Sequence, residues 1–285
     1  MIEEKIMLTR IITSLVAVCV LVPVLLFSGT AVLPIGIGIF TVIAVYEMLK
    51  CMGHHKRLLF SIPLYAFSLA IPFALRYIHN GAVVGKLCFV AAAAYLMIVF
   101  VCVIWSHGAL GFADALSMFA ACAYIITAMN SILFVRDFGE SGKYIYLLIF
   151  LGAWITDIFA YFTGVFFGKH KLIEDVSPKK TVEGSIGGIF FCVLSFVIFG
   201  IVVDAITGGG ANLIFLAVSG LIASLISQVG DLIMSVIKRH YGVKDYGKLF
   251  PGHGGVLDRF DSVLAVSLGM AAICMIASVL NIQFI

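Results

Sequence analysis

Nine apolar runs of spanning length constrain this chain more than any other feature. They fall near 11–28, 31–49, 58–75, 87–105, 112–134, 145–167, 185–205, 212–237 and 262–282. A bilayer core takes about 20 apolar residues of helix. Within it each segment must satisfy its own backbone N–H and C=O groups, so such runs are read as helices. The expected fold is all-α and polytopic, with about nine transmembrane spans. Of 285 residues, 62% are hydrophobic and 12% charged, against roughly 45–50% and about 25% in soluble domains. That balance excludes a soluble enzyme, a disordered chain and a nucleic-acid-binding domain. The first run lacks a clear small-residue cleavage site and a second span follows at once, so it is read as a retained helix. The two are joined by a tight turn at Ser28-Gly29-Thr30. Seven scattered cysteines without a CxxC pair point to neither a disulfide framework nor a zinc site.

The basic residues orient the chain. With the N-terminus inside, the inside segments hold Lys5, Arg10, Lys50, Lys56, Arg57, Lys169, Lys171, Lys179, Lys180, Lys238, Arg239, Lys244, Lys248 and Arg259, which is 14 of the 18 Lys and Arg. Only Arg76, Lys86, Arg136 and Lys143 fall outside. Cytoplasmic loops carry the Lys/Arg excess, so a cytoplasmic N-terminus is expected. The chain divides into N-terminal transmembrane helices, 1–145, and a C-terminal transmembrane region, 146–285. The latter carries two long polar cytoplasmic loops, 168–184 and 238–261.

Ionisable groups inside spans are costly and mark function by default. Asp157 sits mid-span, with Tyr161, Gly164 and Gly168 on its helical face. The plainer reading is an acid that ties two helices together through a hydroxyl or backbone group. Gln228, Asp231, Ser235 and Lys238 form one polar stripe on the eighth run. Asp258 and Asp261 stand one turn apart where the ninth begins. Carboxylates so placed suit a hard cation such as Mg²⁺, although helix capping would also explain the last two. Asp114 has no such company and is read as structural or interfacial.

The loop 238–261 combines Lys238, Arg239, Lys244 and His253 with glycines, including Gly254 and Gly255, whose N–H groups could cradle phosphate oxygens. GxxxxGK[ST] is absent, so this is not a Walker loop. The other loop reads Ser177-Pro178-Lys179-Lys180-Thr181-Val182-Glu183-Gly184. Lysines beside hydroxyls at a helix start make a polyphosphate clamp. Contact with anionic lipid would explain the charges of either loop, but not its glycines or aspartates.

The stretch from Ser235 to Asp261 resembles the long C-terminal motif of the phosphatidate cytidylyltransferases, or CDP-diacylglycerol synthases. The matching positions are Ser235, Lys238, Arg239, Lys244, Asp245, Gly247, Pro251, His253, Gly254, Gly255, Asp258, Arg259 and Asp261. The stretch from Asp157 to Gly184 resembles the same family, and together the two cover roughly residues 150–265. The resemblance implies a membrane enzyme that joins CTP to phosphatidic acid and releases pyrophosphate. It implies Mg²⁺, alone or with a second cation, a homodimer, and a bacterial cell membrane with the site facing the cytoplasm.

On this reading Asp231, Asp258 and Asp261 bind metal, while Lys238, Arg239, Lys244 and His253 complete the catalytic set. Asp157, Ser177, Lys179, Lys180, Thr181, Gly254, Gly255 and Arg259 contact substrate. The rivals are a CTP-dependent polyprenol or dolichol kinase, which would transfer the γ-phosphoryl group, and an ion-coupled transporter. The transporter leaves the Gly-His-Gly-Gly segment unexplained.

Overall fold

In a computed structural model, which describes residues 13, 19–78, 80–174 and 176–284, eight of the apolar runs form helices long enough to cross a membrane. They are α1 (Val32–Cys51), α2 (Leu58–Tyr77), α3 (Gly81–Trp105), α4 (Phe112–Arg136), α6 (Leu147–Phe167) with the short α5 (Gly142–Ile145) before it, α7 (Val182–Thr207), α8 (Leu213–His240) and α9 (Leu257–Leu280). Most of the first expected span lies outside the described residues. From 19 to 26 the chain is helical, and it turns at 27–31. Large apolar side chains such as Phe89, Ile104, Phe166 and Ile214 are exposed along these helices. In a bilayer that is the lipid-facing surface the composition requires.

Local chemistry sets the helix ends. The Asn80 side chain accepts the Val83 N–H, Thr181 accepts that of Gly184, and Asn212 accepts that of Phe215. Each satisfies an N–H that has no partner within its helix. Gly208 ends α7 in the left-handed conformation, φ 66°, which costs a residue without Cβ little. The Asp204 carboxylate then accepts the N–H groups of Gly210 and Ala211.

The chain divides into two compact units, 1–133 with 243–259, and 134–242 with 260–285. In the first, α2 packs against α1 and α3. The Tyr95 hydroxyl donates to the Phe60 carbonyl, and Arg57 reaches the carbonyl of Ala109. His54 and His55 lie in the turn between α1 and α2. Burial, and then the neighbouring Arg57, push the His54 imidazole below its ordinary value.

In the second unit α7 lies between α6 and α8. Lipid supplies no hydrophobic drive between helices, so small residues that admit close backbone contact decide where they cross. A Cβ on Gly184 would lie 2.6 Å from the Ala160 carbonyl oxygen, and one on Gly188 2.9 Å from that of Thr156. Beside this seam the buried Thr156 hydroxyl donates to Ser224 Oγ at 3.0 Å. Gly184→Ala is therefore expected to destabilise the protein by about 1–3 kcal/mol, the usual cost of overpacking. Thermal unfolding in detergent would show it, and an unchanged midpoint would mean that the seam has slack.

One element departs from the all-helical expectation. Part of the polar segment 168–184 forms a two-stranded antiparallel hairpin, β1 (Lys171–Ile173) and β2 (Ser177–Thr181). Its register pairs Lys171 with Thr181 and Ile173 with Ser177.

Candidate active site

The hairpin is fastened to the start of α7. Glu183, in the first turn of that helix, accepts the N–H groups of Lys169 and His170 through Oε2, at 3.1 and 3.2 Å. Its Oε1 lies 2.6 Å from His170 Nδ1. The Val182 N–H donates to the His170 carbonyl, and Lys171 Nζ donates to that of Pro178. Chain entering the hairpin is thereby tied to chain leaving it, and the direction of β2 is set.

Successive strand residues point to opposite faces, which separates the two lysines of β2. Lys179 is exposed. Lys180 turns inward, and its ammonium lies 2.5 Å from Asp231 Oδ2 on α8. This is an ion pair by distance, without the alignment of a good hydrogen bond. Both side chains are about a quarter exposed, so the pair adds little to stability.

Asp231 belongs to a larger polar group in the second unit. Asp157, Lys238 and Asp261 lie in the same unit, where a Cβ on Gly230, next to Asp231, would lie 3.2 Å from the Asp261 carbonyl oxygen. The Ser262 hydroxyl donates to Asp157 Oδ2 at 3.0 Å, linking α9 to α6. Asp157 thus ties two helices together through a hydroxyl. Gln228, at the head of the stripe, is buried and donates to the Ser185 carbonyl at 3.4 Å. Arg239, in the last turn of α8, is exposed. Its charge and that of Lys238 suit the negative end of the helix.

In the first unit the Gly-rich segment forms a compact loop. Phe250 and Gly254 make a backbone bridge, and the His253 N–H donates to the Phe250 carbonyl. Asp258 is only 7% exposed. Its Oδ2 accepts the N–H groups of Tyr246 and Gly255, at 2.8 and 2.9 Å. The Gly255 N–H, expected to face phosphate, is therefore turned to a carboxylate of the chain itself. Gly254 has a φ of +89°, and a Cβ there would meet Asp258 at 2.7 Å. Lys244 and Arg259 are exposed.

Among the sequence-derived candidates, the structure gathers Asp157, Lys180, Asp231, Lys238 and Asp261 in one unit, and His253, Gly254, Gly255 and Asp258 in the other. Ser177 sits in the hairpin ladder opposite Ile173. Thr181 Oγ1 is committed to capping α7. Among the described residues no three His, Cys, Asp or Glu side chains form a ready-made metal cage. Sequence reasoning passed over Glu47, a buried acid in α1 that accepts the N–H groups of Val256 and Leu257. The available signal was an ionisable residue in an apolar span.

A family model for the cytidylyltransferases matches residues 8–277. The phosphatidate cytidylyltransferase of Staphylococcus aureus (strain COL) is 36% identical over 266 residues, spanning 91% of this chain and 96% of its own length. Proteins of the same name from Staphylococcus epidermidis (strain ATCC 12228 / FDA PCI 1200) and Staphylococcus haemolyticus (strain JCSC1435) are 35% and 34% identical over 260 residues, with the same two coverages.

Proposed function

The chain belongs to the cytidylyltransferase family, and we propose that the polar group around Asp231 and Asp261 is its catalytic centre. It is an integral membrane enzyme that condenses CTP with phosphatidic acid, giving CDP-diacylglycerol and pyrophosphate. A phosphate oxygen of the lipid attacks the α-phosphorus of CTP, forming one P–O bond as the bond to pyrophosphate breaks. The nucleophile is already ionised near neutral pH, so the protein needs no strong general base. Its task is to bring two anions together and to stabilise the charge between them.

Lys180 and Lys238 supply positive charge beside the carboxylates of this group. Lys179 and Arg239 extend it for the polyphosphate and the lipid head group, and Lys244, His253 and Arg259 are assigned to the same anions. Ser177, Thr181, Gly254 and Gly255 shape the segments that hold substrate, and Asp157 orients α9 through Ser262.

The donor set fits Mg²⁺. Asp231 and Asp261 are hard oxygen donors in one unit, the ligand type that Mg²⁺ prefers. Magnesium is usually held by one or two carboxylates plus substrate phosphates rather than by an all-protein cage, in keeping with the grouping observed. Asp231 and Asp261 would hold it, and Asp258, the third acid of the motif, is assigned to it from the sequence while its Oδ2 holds the Tyr246 and Gly255 N–H groups. When bound it would neutralise developing charge on the phosphate oxygens. A homodimer in a bacterial cell membrane, with the N-terminus and the site on the cytoplasmic side, completes the proposal.

The family match over residues 8–277 carries this reading. Purified protein given phosphatidic acid, CTP and Mg²⁺ is expected to release CDP-diacylglycerol and pyrophosphate together. CDP released in place of pyrophosphate, with the γ-phosphoryl group carried to a lipid, would instead indicate a kinase. A reporter fused at Lys179 or Lys248 should report the cytoplasm. Labelling of position 248 from outside intact cells would overturn the orientation.

A further inference from the structure

Among the described residues the proposed mechanism leaves one buried acid unused. Glu47 lies in the last turns of α1 and is 3% exposed. Both its oxygens are engaged, Oε1 by the Val256 N–H at 3.0 Å and Oε2 by the Leu257 N–H at 2.9 Å. These groups open α9, where backbone N–H donors have no partner inside the helix. A helix start of this kind is a ready seat for an anion. Here a side chain that is 209 residues away in sequence from Val256 fills it.

The loop is built around that carboxylate. A Cβ on Gly247 or Gly255 would run into Glu47. Neither glycine has a positive φ, so the close approach, rather than the backbone conformation, excludes a side chain. Asp258 takes the N–H groups of Tyr246 and Gly255. Consecutive donors at 255, 256 and 257 therefore all end on two buried carboxylates, one from α1 and one from α9 itself. That arrangement fixes both ends of the 246–257 loop and the rotation of the helical turn that presents Asp258. Asp261 follows one turn on in the same helix.

We propose that Glu47 is a positioning residue for cytidylyl transfer, acting through the 246–257 loop and the first turn of α9. The proposal rests on the catalytic reading given above. A merely structural acid would change how much protein folds, but not the rate per folded molecule.

The test uses the full chain in lipid nanodiscs, with Glu47→Gln, Glu47→Ala, Gly255→Ala and the Glu47→Ala/Gly255→Ala double variant. Gln keeps the shape but turns an amide donor toward a backbone donor, so one of the two bonds is lost. Glu47→Gln should lower kcat about 10- to 100-fold per folded molecule, the usual effect of removing an orienting partner. KM for CTP should shift less than about threefold, because no contact with CTP is lost. Amide hydrogen exchange over 246–257 should rise while α6 to α8 stay protected. Gly255→Ala should lower the thermal midpoint alone and add less in the Glu47→Ala background, where the three atoms nearest the new methyl, all of the Glu47 carboxylate, are gone. Unchanged kcat per folded molecule, unchanged exchange in the loop, an effect on KM alone, or full additivity of the two substitutions would each overturn the proposal. Exchange and the stability cycle need no substrate. If the unsubstituted protein makes no CDP-diacylglycerol, the catalytic reading fails, and the positioning role falls with it even where the loop responds.

Discussion

Replacing Asp261 with asparagine is expected to lower turnover by at least about a hundredfold and to raise the Mg²⁺ concentration needed. Asparagine keeps the shape and one oxygen but loses the charge, so the substitution isolates electrostatics from packing. A cation at a phosphoryl centre supplies several kcal/mol, and each 1.36 kcal/mol is about a tenfold change in rate. Asp231→Asn should do the same, with the added effect of leaving Lys180 without its partner carboxylate. Asp258 needs two substitutions to read, because its Oδ2 also holds the N–H groups of Tyr246 and Gly255. Asp258→Asn retains an acceptor and tests the charge, whereas Asp258→Ala also releases the loop and should lower thermal stability. Asp114, exposed in the first turn of α4, is the control. Magnesium titrations of each variant decide the matter. If Asp114→Asn is as damaging as Asp261→Asn, or Asp231→Asn works at unchanged Mg²⁺ dependence, the carboxylate site is wrongly assigned even with the family membership intact.

What could be read in advance follows from the range of the interactions involved. The spans were legible because the bilayer imposes a local rule on every stretch of about 20 residues. The expected run 112–134 became α4 at Phe112–Arg136, and 212–237 became α8 at Leu213–His240. The hairpin was not legible. Its strands are short and polar, and Pro178 lies within β2, where propensity argues against a strand. Glu183, His170 and the Lys171–Pro178 contact hold it instead, and these emerge only once the chain has turned back on itself. Glu47 was missed for the same reason, since nothing near it in sequence announces a partner 209 residues away. Asp258 shows a subtler limit. Capping and metal binding both predicted an acid at a helix start, and the residue alone could not say which N–H groups it would take.

The Lys179-Lys180 pair looked in sequence like one clamp, but the hairpin makes the two lysines unequal, and kinetics should separate them. Lys180→Met is expected to lower kcat/KM for CTP by about a hundredfold, comparable to removing one preorganised donor from a charge-developing site. Lys179→Met should cost no more than about threefold, as befits a solvated charge steering an anionic substrate. The asymmetry follows from strand alternation, which sends Lys180 to Asp231 and leaves Lys179 exposed. Loss of folding would not explain a large effect at Lys180, because a partly exposed ion pair contributes about 1 kcal/mol or less. Thermal midpoints of the two variants should therefore lie close together while their turnover differs widely. Equal, modest losses at both positions, relieved by neutral lipid, would instead mean that the lysines serve attraction to an anionic surface. Low salt offers a further discriminator. Screening acts on exposed charges far more than on partly buried ones, so lowering ionic strength should enhance the contribution of Lys179 and leave that of Lys180 nearly unchanged.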